Sequence, residues 1–163
     1  HGRDMVASMS ARSGGGVVQA IYLSPARKIP MKSVYSVHAE SGMGLVGDRY
    51  HGTKHRHVSV QSFEDLTEAA AVFEAPINHD LTRRNITLSG FEIPTSPGNR
   101  IWINGVLLKV VRIAAPCKLL DDDIGVGART ALRRRAGTIF RLLRSGSISV
   151  GDSVERAVTD GHK

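Results

Sequence analysis

A single cysteine, Cys117, stands in the 163 residues, so no internal disulfide can form and nothing calls for an oxidising compartment. A reduced, cytoplasmic setting is the expectation. Aromatic side chains are scarce: four Phe, three Tyr and one Trp leave little from which to build a stacking platform for single-stranded nucleic acid. No apolar run approaches the roughly 20 residues of a membrane span, and the N-terminus carries no signal-peptide core, so neither a membrane nor secretion is expected. The phosphate-binding spacings of the P-loop and of the dinucleotide fingerprint are missing, as are repeats, low-complexity tracts and heptads. Acidic residues are outnumbered, 15 against 22 Lys and Arg, giving a net charge of +7. That balance favours an anionic partner such as a phosphorylated small molecule, an anionic surface or nucleic acid. The run Asp121-Asp122-Asp123 sits awkwardly against a phosphate backbone and argues against nucleic acid.

What is present points to β structure. The length and a hydrophobic content of 41% suit one domain with one sizeable core. Seventeen glycines and six prolines are spread along the chain, the punctuation of many short elements. Residues 1–16 (HGRDMVASMSARSGGG) lack periodicity and read as a flexible tail or expression remnant, residues 17–157 as the single domain, and 158–163 as a short tail. VVQAIYL (17–23), SVYSVHAE (33–40), HVSVQ (57–61) and NITLSG (85–90) read as strands. SFEDLTEAAAVF predicts a helix capped by Ser62 and stopped before Pro76. RIWINGVLLKVVRI predicts a hairpin about a type I′ turn at Asn104-Gly105. GARTALRRRAG (127–137) predicts a short basic helix, and the segment from Thr138 to Val158 two or three closing strands. Roughly seven or eight short strands with two or three short helices argue a mainly β fold: a closed or nearly closed antiparallel β-barrel.

Several segments could carry chemistry. Cys117 in AAPCKLL follows a strand and sits beside Lys118, a setting in which a thiol serves as nucleophile, persulfide carrier or soft-metal ligand. A small buried hydrophobe is the competing reading. Arg83 and Asn85 in TRRNITL stand just before a strand and can offer a guanidinium fork and an amide to an anionic, polar ligand. GLVGDRYHG places Asp48 and Arg49 beside glycines that expose backbone amides, which suits an anion cradle, one wall of a ligand mouth or a structural wide turn. His51, His55 and His57 lack the fourth ligand and the spacing of a zinc site. Arg133, Arg134 and Arg135 read as a solvated helix face.

In their order along the chain, GLVGDRY, RHVSVQ, RRNITLSG, GNRIWINGVLLKVVRIAAPCKLL and RRRAGTIFRLLRSGSISVGDSV resemble the MOSC family, the domain found at the C-terminus of molybdenum cofactor sulfurases. The resemblance covers about residues 17 to 157 and suggests a small stand-alone member. It implies a β-rich barrel in which Cys117 is the functional residue, carrying a persulfide or ligating molybdenum in the molybdopterin cofactor. It also implies cofactor contacts at Arg83 and Asn85, matching an R-x-N stretch of amidoxime-reducing relatives, and at Arg27 and Lys28, near an early stretch that touches the cofactor there. The expected function is binding of molybdenum cofactor and reduction of N-hydroxylated substrates. The alternatives are a sulfur carrier and a plain anion-binding or nucleic-acid-binding module. No pyridoxal phosphate site is expected within the chain, so a separate cysteine desulfurase, or separate electron-transfer proteins, would serve it.

Overall fold

The computed structural model describes residues 15–115 and 119–158. The tail expected over residues 1–16 therefore lies, up to residue 14, outside the described residues, as do Pro116, Cys117, Lys118 and residues 159–163. The chain forms β1 (Gly16–Leu23), β2 (Lys32–Val34), β3 (Ser36–Glu40), β4 (Gly44–Leu45), β5 (Val58–Ser62), α1 (Phe63–Phe73), a 3-10 turn (His79–Thr82) and β6 (Ile86–Ser89). It continues with β7 (Arg100–Ile103), β8 (Val106–Ile113), α2 (Leu119–Asp123), α3 (Ala128–Ala131), β9 (Thr138–Arg144), β10 (Gly146–Ser149) and β11 (Ser153–Arg156).

Seven strands close a barrel in the order β11-β7-β8-β9-β5-β6-β1, sealed by antiparallel pairing of β1 with β11. The barrel is antiparallel at every seam but one, because β5 and β6 run parallel. A parallel pair cannot be joined by a tight turn, and α1 with the 3-10 turn supplies the crossover. β2 pairs with the end of β1, and a separate sheet, β10-β3-β4, sits beside the barrel. SVYSVHAE is thus two strands: the chain changes sheets at Tyr35, which is 71% exposed.

Alternating strand residues fill the barrel, among them Ile21, Val58, Val60, Ile86, Leu108 and Phe140, all fully buried. Each such side chain contributes about 1.5–3 kcal/mol of burial. A second cluster, Leu66, Ala69, Ile77, Leu120, Ala131 and Leu132, packs α1, α2 and α3 together. Helix α1 begins where expected: Ser62 Oγ accepts from Asp65 N at 3.0 Å, and Glu64 and Asp65 suit the positive end of the helix dipole. It ends at Phe73, with Glu74 in left-handed geometry at φ 64°.

The alternation in HVSVQ suggests one wet face, yet all of β5 is buried. The polar face is sealed by hydrogen bonds: Gln61 Nε2 donates to Thr87 Oγ1 at 2.9 Å, and Gln61 Oε1 accepts from Thr82 Oγ1 at 2.7 Å. The Asn104-Gly105 hairpin forms with Ile103 opposite Val106, but only Asn104 (φ 56°) enters the left-handed region. A type I′ turn needs positive φ at both central residues, so this two-residue loop is of another type. The basic run also leaves its helix. Helix α3 stops at Ala131, and Arg134 at φ 64° turns the chain away, so Arg133, Arg134 and Arg135 follow the helix instead of lining it.

Gly137 (φ 100°) brings β9 against β5, and a Cβ there would run into the Val60 carbonyl. Gly137→Ala therefore combines backbone strain with a backbone clash at a core seam. We expect a loss of about 3 kcal/mol or more in urea unfolding, whereas Gly98→Ala, at similar φ but with open space around it, should cost less.

Candidate functional site

β5 and β6 begin at the same end of the barrel, and β1, antiparallel to β6, finishes there. Two loops meet at this end, one following β1 and one leading into β5. Ser24 N donates to Asp48 Oδ1 at 2.8 Å and Arg49 N donates to Ser24 O at 2.8 Å, which binds the loops to each other.

Asn85 sits at the centre of the junction and is 4% exposed. Its Nδ2 donates to Tyr22 O at 3.0 Å and to Asp48 Oδ1 at 3.1 Å. Its Oδ1 accepts from Ser59 N at 3.0 Å and from Ser59 Oγ at 3.1 Å. Both donors and both acceptor positions of the amide are thus used, on β1, on β5 and on the Asp48 loop. Asp48 is equally committed, since its Oδ2 accepts from Tyr50 N at 3.1 Å.

The two arginines before Asn85 reach in different directions. Arg83 takes a left-handed backbone (φ 61°), and its Nη1 donates to Ile29 O at 2.7 Å while Nη2 donates to Ser24 Oγ at 2.8 Å and Ala26 O at 3.1 Å. It thereby shapes the loop that carries Arg27 and Lys28. Arg84 is 7% exposed and donates from Nε to Ala136 O at 2.7 Å and from Nη2 to Ala115 O at 3.3 Å. Ala115 is the last described residue before the segment that holds Cys117.

Around this knot lies a cavity of about 150 Å³. Arg27, Lys28, Arg49, Arg83 and Asn85, the five residues put forward from the sequence beside Cys117, all line it. So do Arg56 and Arg84, while Asp48 and Asp123 are the acidic residues of the wall. Leu120 and Asp123 come from α2, which follows the Cys117 segment. Arg27, Lys28 and Arg49 are exposed to solvent at the rim. Two guanidinium groups lie over the Tyr50 ring, Arg49 at 4.6 Å and Arg56 at 4.2 Å from the ring centroid.

Arg56 was not singled out in the sequence, and neither were Ser24 and Ser59 as site residues. The stretch RHVSVQ that belongs to the resemblance contains two of the three, but an arginine between two histidines has no spacing signature of its own. The Arg56 guanidinium is held below the usual arginine range, first by burial and then by the Arg112 and Arg49 charges, with Tyr50 and Asp48 opposing. Its Nε is buried and has no hydrogen-bond partner among the described residues.

The histidines divide. His57 is buried; its Nδ1 accepts from Leu142 N at 2.9 Å, so the proton sits on Nε2, which donates to Thr53 O at 2.9 Å. It is a neutral brace for the loop that carries Arg56. His51 Nε2 bonds Glu40 Oε1 at 2.5 Å, tying the same loop to β3. Among the described residues no group of three or more His, Cys, Asp or Glu is placed to hold a metal ion, and no helix is long and apolar enough to cross a membrane.

Two outcomes follow from this frame. Asn85→Ala strands the Ser59, Asp48 and Tyr22 groups in a buried site and should cost about 2–3 kcal/mol in urea unfolding. The second concerns pH. Burial lowers the His57 pKa, so the unfolded chain takes up a proton near the ordinary value of about 6.5 while the folded chain resists. His57 stability is therefore complete above that pH and is lost as pH falls towards the depressed folded value. The thermal midpoint should drop between pH 7.5 and 5.5, and His57→Gln should flatten the drop, leaving the smaller part due to His79, which burial shifts in the same direction.

Among solved structures the chain is similar to the YuaD protein from Bacillus subtilis, at 20% identity and a TM-score of 0.77, with 89% of this chain and 97% of that chain covered. It is also similar to YiiM from Geobacillus stearothermophilus (15% identity, TM-score 0.70, covering 88% and 75%). YiiM from Escherichia coli gives 17% identity and a TM-score of 0.64, covering 88% and 71%. At such identities the likeness speaks for the fold. No curated protein sequence matches the chain. The MOSC domain profile matches residues 47–155, a span that runs from the Asp48 loop through the arginine-asparagine knot to the closing strand, and the chain belongs to the MOSC domain family.

Proposed function

We propose that the chain binds molybdenum cofactor at the cavity beside Asn85, with Cys117 as the protein ligand to molybdenum, and acts in the reduction of N-hydroxylated substrates. The observation that carries this reading is the gathering of Arg27, Lys28, Arg49, Arg56, Arg83 and Arg84 around one cavity against two carboxylates. Such an excess of cation suits the phosphate end of a pterin cofactor. A volume of about 150 Å³ is small beside the roughly 300–1,000 Å³ of pockets that enclose a whole organic ligand, so the cavity takes one end of the molecule.

The donor set divides by task. Arg27, Lys28 and Arg49 present charge at the rim, while Arg83 and Asn85 hold the loops that carry those charges. Arg84, in the cavity wall, donates to Ala115 O, and Leu120 lines the cavity beyond the Cys117 segment in sequence, which supports placing the thiol near this site. The bound cofactor would supply a redox-active metal with room for one soft thiolate. Electrons would come from separate carrier proteins.

Protein expressed in a host that makes the cofactor should carry close to one molybdenum and one pterin per chain, by metal analysis and pterin fluorescence. Cys117→Ala should lose most of the molybdenum. Wild-type protein without molybdenum or pterin would overturn the proposal. If it instead gained one sulfur in intact mass after incubation with a cysteine desulfurase and cysteine, the sulfur-carrier function would take its place.

A further inference from the structure

The arginine best prepared to meet an anion in this cavity is one that neither the R-x-N stretch nor the early basic stretch contains. Asn85 has no hydrogen-bonding capacity left, and both terminal nitrogens of Arg83 are bound to the loop after β1. Arg56 differs in three ways. It lines the cavity, its Nε is buried without a hydrogen-bond partner among the described residues, and its guanidinium carbon lies over the Tyr50 ring, 4.2 Å from the centroid. A ring contact of this kind holds the cation in place without using up an N–H donor on a carbonyl or carboxylate.

We propose that Arg56, oriented by Tyr50 and flanked by Arg49, is the residue that binds the phosphate monoester end of the ligand, and that Arg83 and Asn85 act on that ligand through the frame. This rests on the reading of the cavity as an anion site. Electrostatics agree with the geometry. Burial and the neighbouring Arg112 and Arg49 charges disfavour the Arg56 cation in the ligand-free chain, and the nearby carboxylate of Asp48 is already shared among Ser24, Asn85 and Tyr50. A dianion would remove the repulsion and give the buried Nε its partner. Tyr50 in turn has a positioning role, because its ring is in contact with both the Arg49 and the Arg56 guanidinium groups.

The test uses the full chain without cofactor and inorganic phosphate as the probe, titrated by calorimetry against a chloride control of equal ionic strength. Wild type should bind phosphate, and Arg56→Gln should weaken binding about ten- to hundredfold, the effect of one lost charge-assisted hydrogen bond. Its thermal midpoint should stay nearly level, since the loss of the Tyr50 contact is offset by removal of a cation that burial and the Arg112 and Arg49 charges disfavour. Arg83→Gln should lower the midpoint. Should Arg56→Gln fail to fold, Arg56→Lys gives the same reading, with charge kept and the fork lost, and binding several-fold weaker. Equal phosphate affinity in wild type and Arg56→Gln, or no phosphate binding by wild type, overturns the proposal. The cofactor reading fails separately: phosphate binding that depends on Arg56, in a protein that acquires no molybdenum in a cofactor-making host, would leave the Arg56 assignment standing and remove the other.

Discussion

The side-chain amide of Asn85 joins three strands and a loop at one point, and the candidate site depends on that junction. Its four hydrogen bonds go to Tyr22, Asp48 and Ser59, which fixes the end of β1, the start of β5 and the GDRY turn relative to each other. A buried amide with all its capacity used is stabilising, whereas one deprived of partners costs as much as it gave. The site therefore has little tolerance at its centre and all its adaptable groups at the rim. Arg83 and Arg84 extend the junction outward, one to the loop after β1 and the other to Ala115 and Ala136.

The parallel pair β5–β6 makes this arrangement possible. In a wholly antiparallel barrel the starts of neighbouring strands lie at opposite ends. Here β5 and β6 start together, so the loop before β5 and the arginines before β6 face one cavity. The crossover through α1 brings a small helical layer with its own core, and α2 from that layer contributes Leu120 and Asp123 to the wall. Charge then separates by depth. Asp48 is buried with both carboxylate oxygens hydrogen-bonded, while Arg27, Lys28 and Arg49 are exposed at the rim. That imbalance is what makes an anion the proposed occupant, with Arg56 as its proposed contact.

Much of the barrel was legible in the sequence, since alternating apolar residues and turn dipeptides gave β1, β5, β6, β7, β8 and the closing strands within a residue or two. Three features were not. The break at Tyr35 depends on two strands choosing different sheets, which no local pattern records. The parallel seam is a matter of topology, and periodicity is blind to strand direction. The early stop of α3 comes from the left-handed backbone at Arg134, a residue type that gives no warning of it. At the site, Arg27, Lys28, Arg49, Arg83 and Asn85 were all named from the sequence, and the fold gathers them. What the sequence could not reveal is which are already bonded, and so Arg56, whose significance lies in a buried nitrogen without a partner, went unnoticed. Cys117 lies outside the described residues and keeps the role that the resemblance gives it as a proposal.

A crystal structure of the chain soaked with a phosphate monoester tests the division between frame and contact most directly. The account predicts tetrahedral density within hydrogen-bond distance of Arg56 Nε, with the Asn85 bonds to Tyr22, Asp48 and Ser59 unchanged. Density bound instead by an Asn85 amide that has swung away from those partners, or density away from this cavity, would contradict it.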